Sequence, residues 1–577
     1  MRVLLIHPDD HLPAENGAVR WDLIVDFGRA PGVTYERWSR QAACPVISLY
    51  DFVEEVEDLH RCRELLRPGM GCLVDRYGID WWDILSLGVV PDLHQLVLLE
   101  RLGKYIGSRC ELHSTRRFPL TTILGYLLNC DLMTLESHWQ SVRRPFRRYS
   151  EVLMQLNRAQ ITQAMQDKFD PHHSIRRRFS RQGKTLRGPL VLLPSAYVNV
   201  SRTAVGWAEL VPEQKFLLVC ARKNGRLQSL PPNVFTVSLD AYFGSSSKGE
   251  DCLRDRWRAL RHKLIREMKE FEAAERAGML ERIASGLRWG VNVRDAWSRV
   301  FEAEDITGCL CADDTNPYTR IPLVLAKNRG IVTLACHHGT LDSWMALKTV
   351  QADFYLTRSE MERDYLIQKC HVAREKVVAG SLAGAPAPVR TVTPRTKGRW
   401  LVFFTEPYQN SGWRSHEVYR DLLPRLCSLS ETCGLKLVFK LHPFESVRGH
   451  RRMLRRIMGH RVREIDVIDG PPSDELWQNT RVALTVQSST ALECAGKGMP
   501  VFLCAWLRDA YAGYVQQYAK FGVGRVLESP EQIANIPQLL DAPIDNRTRT
   551  HNGKGIDPET LRALFSARYS LPVAIHA

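Results

Sequence analysis

The sequence predicts an α/β protein made of two doubly wound parallel-sheet bodies facing a central cleft. Three observations predict it. Short β-branched or Leu-rich runs recur along the chain, each followed by a polar turn and a helix-like stretch, the alternation of parallel α/β layers. A second, cleaner series of such runs begins after a Pro-rich segment. The 577 residues, 44% apolar and 25% charged, suffice for two to four domains of ordinary globular composition.

In the first half the runs occupy 3–6, 45–49, 84–87, 190–193, 216–220 and 235–239, then 308–311, 331–335 and 354–357. Strands of a parallel sheet are covered on both faces and read as continuous apolar runs instead of alternating ones. Residues 250–288 are long, charged and amphipathic and read as helix, and 132–168 read as helix broken at Pro145. Trp81-Trp82 reads as core, with a sugar-stacking platform as the alternative. Pro386, Pro388 and Pro394 stand in a Pro-, Thr- and Ala-rich stretch that reads as a linker over 381–397. It separates an N-terminal acceptor-side body over 1–380, with helical insertions, from a C-terminal nucleotide-donor body over 398–577. The strands of the latter are expected at 400–404, 436–440, 465–468, 482–486, 500–504 and 524–527. No tandem repeat appears.

Composition narrows the function classes. No apolar run approaches the ~18 residues of a membrane helix, and the first residues stop being apolar after Ile6, too early for a secretory signal. The expected location is cytoplasmic. Fifteen cysteines without a CxxC pair imply reduced thiols and no zinc site. The charge of +15 suits nucleic acid, an anionic membrane or anionic small molecules. It gathers at Arg143, Arg144, Arg147 and Arg148, at Arg176, Arg177, Arg178, Arg181, Lys184 and Arg187, and at Arg451, Arg452, Arg455 and Arg456. A solvated face is the plain reading of each cluster. The second, with Ile175, Phe179 and Leu186 among its arginines, also suits peripheral contact with the inner face of an anionic membrane. No nucleic-acid recognition motif accompanies the charge.

Ligands of doubly wound sheets bind outside the carboxyl ends of the strands, so the residues there carry the functional reading. Lys440-Leu441-His442-Pro443 ends one strand with a cation, an imidazole and a proline that cannot donate to a sheet. A phosphate or nucleotide contact and a surface His-Pro turn are the two readings. After 482–486 come Ser488, Ser489 and Thr490, then a short helix with Glu493 about one turn in. Hydroxyls at a helix start bind an anion or merely cap the helix, and Glu493 is placed to reach a ribose hydroxyl. Strand 331–335 ends in His337-His338-Gly339. There Gly339 admits a ligand close to the backbone, and His338 serves as acid, base or phosphate contact or only bonds loop carbonyls. Asp313-Asp314 follow strand 308–311. Asp314 is the candidate base for an acceptor hydroxyl, with helix capping as the alternative, and the adjacent pair is not a metal-binding acidic spacing. The loops carrying Ser195 and Asn199, and Glu406, also follow strong strands and are expected to line the acceptor side and the cleft, or to be turns.

The segments Lys440-Leu441-His442-Pro443 and Ser488-Ser489-Thr490 resemble the "HP" and "S" motifs of bacterial GT-B glycosyltransferases that use CMP-activated sugars. These are the sialyl-, polysialyl- and Kdo-transferases of capsule and lipopolysaccharide synthesis. Similar strand-end patterns occur in CDP-glycerol polyol-phosphate transferases, whose "(Q)HG" turn Ile331–Asp342 resembles with His337 in place of Gln. The resemblance covers about 400–505. It implies two Rossmann-like domains, a nucleotide-sugar donor held by His442, Ser488, Ser489 and Thr490, and a glycan or lipid-linked glycan acceptor; no cofactor is expected beside the donor, and the Asp313-Asp314 spacing implies no metal. Polyol-phosphate transfer, sugar-nucleotide 2-epimerisation, and non-catalytic binding of nucleic acid or lipid stand as alternatives.

Overall fold

A computed structural model describes residues 1–13, 20–53, 70–135, 188–222, 229–243, 250–276, 280–339, 352–379, 398–408, 412–443, 445–459, 464–507, 514–540 and 556–566, with 58–59, 62–63, 67, 225 and 227. Within them three wholly parallel sheets form. The first contains β1 (Arg2–Ile6), β2 (Leu23–Asp26), β3 (Val46–Ser48), β4 (Glu111–Ser114) and β5 (Leu132–Thr134), in the order β3-β2-β1-β4-β5. The second holds β6 (Leu190–Ser195), β7 (Phe216–Cys220), β8 (Val234–Ser238), β9 (Ile306–Cys311), β10 (Val332–Ala335), β11 (Phe354–Thr357) and β12 (Val377–Ala379), in the order β12-β11-β10-β9-β6-β7-β8. The third holds β13 (Trp400–Phe404), β14 (Lys436–Lys440), β15 (Asp466–Ile468), β16 (Thr480–Thr485), β17 (Val501–Cys504) and β18 (Arg525–Leu527), in the order β15-β14-β13-β16-β17-β18.

Each sheet starts in its middle, winds to one edge, then crosses back and winds to the other. Counted from its first strand, the third sheet reads 3-2-1-4-5-6, the doubly wound order of dinucleotide-binding folds. The expected α/β class and doubly wound topology are therefore those of the chain. The strand cores explain the apolar runs: all six residues of β6 and all five of β7 are buried. Helix Ser415–Cys433 covers the third sheet with Val418, Tyr419, Leu422, Leu423, Leu426 and Leu429, a three-and-four spacing that puts them on one face. Gly434 ends it at φ 60°, donating back to Ser430 and Glu431 carbonyls, the left-handed cap that glycine adopts without a Cβ penalty.

Four expectations change. The first-half runs belong to two sheets instead of one body. Residues 84–87 lie inside helix Trp81–Ile106, because a four-residue apolar run does not distinguish a strand from a buried helix. That helix is long and apolar enough by composition to cross a membrane, and 72% of its most apolar window is buried within the protein, so the reading that no segment qualifies is corrected. Residues 132–134 form β5 where helix was expected; most of the remainder of 132–168, like the linker 381–397 and the basic clusters at 143–148 and 176–187, lies outside the described residues. Trp81 and Trp82 are core, fully buried with indole N–H groups donating to Asp75 and to the Arg63 carbonyl. The short strands β2, β4, β5 and β12 escaped the sequence reading since three or four residues carry little pattern.

The chain divides into two compact units of discontinuous segments: Met1–Val56, His94–Thr162 and Pro388–Arg549 form one, and Glu57–Leu93, Gln163–Ala387 and Thr550–Ala577 the other. The first unit joins the first and third sheets, and a buried ionic seam accounts for this. Arg414 donates from Nε to Asp26 Oδ2 at 2.9 Å, from Nη2 to Asp26 Oδ1, and to the His7 and Asp10 carbonyls. Arg37 reaches Asp421 at 2.5 Å and Glu417 at 2.6 Å. The backbones of Arg29, Gly412 and Arg414 exchange hydrogen bonds, and Arg29 stacks over Trp413 at 4.7 Å. Breaking a buried pair leaves one charge uncompensated, at a cost of about 3–5 kcal/mol. Arg414→Ala is therefore expected to lower the unfolding free energy of this unit, read from denaturant titration, by that much, and Asp26→Asn by a similar amount, whereas Lys104→Ala, at an exposed pair, leaves it unchanged within about 0.5 kcal/mol.

Candidate functional site

In the first unit, β13 and β16 are the neighbours between which the third sheet reverses direction, and β14 lies on the other side of β13. Their carboxyl ends carry Thr405-Glu406, Gln487–Thr490 and His442. The β14 turn is tied to β13: the His442 N–H donates to Thr405 Oγ1 at 3.0 Å and to Glu445 Oε2 at 3.1 Å, and Thr405 Oγ1 donates to the same carboxylate. Burial pushes the His442 imidazole below its ordinary range against the opposing pull of Glu445, so the ring is neutral at pH 7 and offers one N–H and one acceptor nitrogen. Lys440 is buried and spends two donors on the Leu441 and Gly470 carbonyls, at 3.1 and 2.6 Å. It braces the β14 and β15 turns, and desolvation lowers its pKa.

Ser488 Oγ and Thr490 Oγ1 lie 2.9 Å apart, and the Thr490 N–H donates to Ser488 Oγ at 3.3 Å. Tyr518 fastens this turn from behind by donating to the Gln487 and Ser488 carbonyls. Ser489 makes no side-chain capping bond in front of helix Thr490–Gly496, so its hydroxyl is not consumed by the cap. Glu493 is exposed on that helix. Glu406 stands between the two turns, half-buried, with Oε1 shielded from solvent. Desolvation pushes its carboxyl up to about 8; the Gln487 N–H opposes that rise and the nearby Glu445 adds to it. At neutral pH it holds a proton and can donate as well as accept.

The second unit repeats the arrangement at the reversal between β6 and β9. Tyr197, two residues past β6, donates to Asp313 Oδ2 at 2.6 Å and lies 3.1 Å from His338 Nε2. Asp313 Oδ1 is held by the Thr315 N–H and hydroxyl at 3.1 and 2.6 Å, and His338 Nδ1 comes within 4.0 Å of the carboxylate. The result is a carboxylate, phenol and imidazole chain at three adjacent strand ends, an arrangement that can pass a proton. Asp314, expected as the base, turns the other way: it is fully buried and accepts from Tyr355 at 3.3 Å. Consecutive residues leave a strand on opposite sides, so Asp313 takes the place expected for Asp314. Gly339 follows His338 and accepts through its carbonyl from Arg358. Ser195 is fully buried, its hydroxyl 2.6 Å from Ser201 Oγ, and shapes the turn; Asn199 is half-buried in the first turn of helix Val198–Ala208.

Against the expectation of no metal, Asp313, His337 and His338 each offer a ligand atom, all within 4.8 Å of one another. The Tyr197 hydrogen bonds account for the position of Asp313 and His338 in that group. Residues the sequence reading missed are Tyr197 as the link between Asp313 and His338, Glu445 and Tyr518. Glu445 had a signal: a carboxylate three residues after His442 can fold back to cap the turn's N–H.

No family model and no curated protein matches this chain. Among solved structures it is similar to a UDP-GlcNAc 2-epimerase of Methanocaldococcus jannaschii (10% identity over 66% of this chain and 99% of that one, TM-score 0.38). It is also similar to a glycosyltransferase of Rickettsia africae (12%, 66% and 94%, TM-score 0.35) and to MurG of Acinetobacter baumannii (10%, 66% and 98%, TM-score 0.37).

The raised Glu406 pKa makes a stability prediction. Between the unfolded value near 4.5 and the folded value of about 8, the folded chain binds a proton that the unfolded chain has lost, so stability falls as pH rises through this window. Glu406→Gln removes that dependence. The variant is expected to melt close to wild type at pH 4 and above it at pH 9; equal melting temperatures at both would show that Glu406 ionises normally.

Proposed function

We propose that the protein is a nucleotide-sugar-dependent glycosyltransferase that moves a sugar from a CMP-linked donor to a surface-glycan acceptor. One observation carries the reading: His442, Ser488–Thr490 and a protonated Glu406 converge on the carboxyl ends of β14, β16 and β13, at the reversal point of a sheet wound as nucleotide-binding sheets are. A neutral imidazole N–H and a cluster of hydroxyls suit phosphate oxygens, and Glu406 adds a hydrogen bond that an ionised carboxylate would replace with repulsion. The preference for cytidine comes from the resemblance of the Lys440–Pro443 and Ser488–Thr490 motifs to those of CMP-sugar enzymes. Lys440 acts by holding the turn, and Glu493 remains the ribose contact.

The acceptor is assigned to the strand ends of the second unit. In the transfer, the bond from the anomeric carbon to the donor phosphate breaks and the nucleotide leaves with its electrons. The acceptor oxygen forms the new bond, and its proton passes to His338 or, through Tyr197, to Asp313. Such a base contributes about 10²–10⁴-fold.

Two measurements test this. A ligand at a hundred times its Kd stabilises the folded state by about 2.7 kcal/mol, so CMP is expected to raise the melting temperature of wild type and not of His442→Ala. A shift with CDP alone would favour polyol-phosphate transfer, one with UDP alone another donor or the epimerase, and no shift with any nucleotide would remove the donor site. With a working donor and acceptor, Asp313→Asn and Tyr197→Phe are expected to lower kcat by at least about tenfold while the CMP-induced melting shift is kept; unchanged kcat would exclude the chain from proton transfer.

A further inference from the structure

Helix Val447–Met458, beside the third sheet, carries a charge pattern that its own stability does not explain. Its sequence is VRGHRRMLRRIM, without an acidic residue. His450 and Leu454 are buried, and Val447, Met453, Ile457 and Met458 pack against the core of the sheet. At 3.6 residues per turn, Arg448, Arg451, Arg452, Arg455 and Arg456 fall in one arc of about 140° on the opposite side. Four of them are exposed and Arg452 half-buried, and none of their guanidinium groups makes a hydrogen bond or ion pair within the described residues. The pairs 448/452, 451/455 and 452/456 are like charges one turn apart, each unfavourable by about 0.2–0.5 kcal/mol in an isolated helix. Exposed Arg420, on the neighbouring helix Ser415–Cys433, extends the same sign; with Arg456 it helps lower the pKa of His416, whose main cause is burial.

We propose that this face is a docking surface for an anionic phospholipid membrane, held by bidentate guanidinium-to-phosphate contacts. All the cations are arginine, the side chain whose planar fork matches a phosphate group, and a straight helix about 18 Å long presents them to a plane. The apolar side chains point into the protein, so contact is electrostatic and without insertion. The helix has no aromatic residue, whereas surfaces for single-stranded nucleic acid interleave aromatics with the basic groups. Lipid phosphates would relieve the mutual repulsion of the five charges, each cation near such a surface contributing about 1 kcal/mol. The inference is independent of the transfer reading.

The test uses the full chain in co-sedimentation with vesicles of phosphatidylglycerol mixed into phosphatidylcholine, and with phosphatidylcholine alone. Binding is expected to the anionic vesicles only and to fall as salt shortens the Debye length. The triple variant R448Q/R452Q/R456Q is expected to bind about a hundredfold more weakly, with a melting temperature equal to or above wild type because repulsion is removed. The control R254Q/R258Q/R266Q, which removes the same charge from exposed positions of helix Glu250–Glu267, is expected to lose little. The proposal is overturned by equal binding to neutral vesicles, by an unchanged triple variant, by an equal loss in the control, or by arginine-dependent capture of RNA or an acidic peptide without vesicle binding. Excess inorganic phosphate that abolishes binding while matched chloride does not would assign the face to free phosphate instead and equally overturn it.

Discussion

A guanidinium shut away from water must find its counter-charge nearby, and Arg414 finds it almost four hundred residues upstream. Its fork closes on Asp26 at the end of β2 while its remaining donors take the His7 and Asp10 carbonyls, so one side chain fixes the end of β1, the end of β2 and the start of helix Ser415–Cys433. Arg37 repeats the device one layer out, on Glu417 and Asp421. The partners of this seam stand almost four hundred residues apart, and their pairing joins the first and third sheets in one unit although the second sheet lies between them in the chain. Apolar helix faces of the Leu422 and Leu426 kind stick wherever a sheet offers them cover; bidentate ion pairs demand one partner in one register, and here they decide which layers belong together.

The same winding order in all three sheets has a functional consequence. Each reversal leaves two adjacent strands whose following loops diverge, and the space between them is where polar side chains can stand without being covered by a crossover helix. In the third sheet that place holds a neutral imidazole, a ring of hydroxyls and a carboxyl that keeps its proton; in the second it holds a carboxylate, a phenol and an imidazole in hydrogen-bond contact. The two sets differ in chemistry: one offers neutral donors, the other a hydrogen-bonded chain that includes a carboxylate. In the third sheet desolvation changes what two groups are, making His442 a neutral donor and Glu406 an acid.

Much of this was legible in the chain. The α/β class followed from continuous apolar runs, and the placing of His442 and of Ser488, Ser489 and Thr490 at strand ends followed from the runs before them, since a strand's carboxyl end can be located from its run. What adjacent residues do after the strand was not legible. Asp313 and Asp314 are indistinguishable in sequence, yet one meets Tyr197 and His338 and the other is sealed against Tyr355. Residues 84–87 looked like a strand and are helix, and four strands of three or four residues left no pattern to find.

Local sequence therefore determined the doubly wound class, most of the strands of the second and third sheets, and the candidate ligand contacts, because those depend on burial pattern and turn chemistry over a few residues. Tertiary structure alone decided which sheets share a unit, which of two neighbouring carboxylates faces its site, and that Glu406 retains its proton. Each of these is set by partners remote in the chain, through ion pairing, side-chain direction and exclusion of water, and no window of sequence contains both partners.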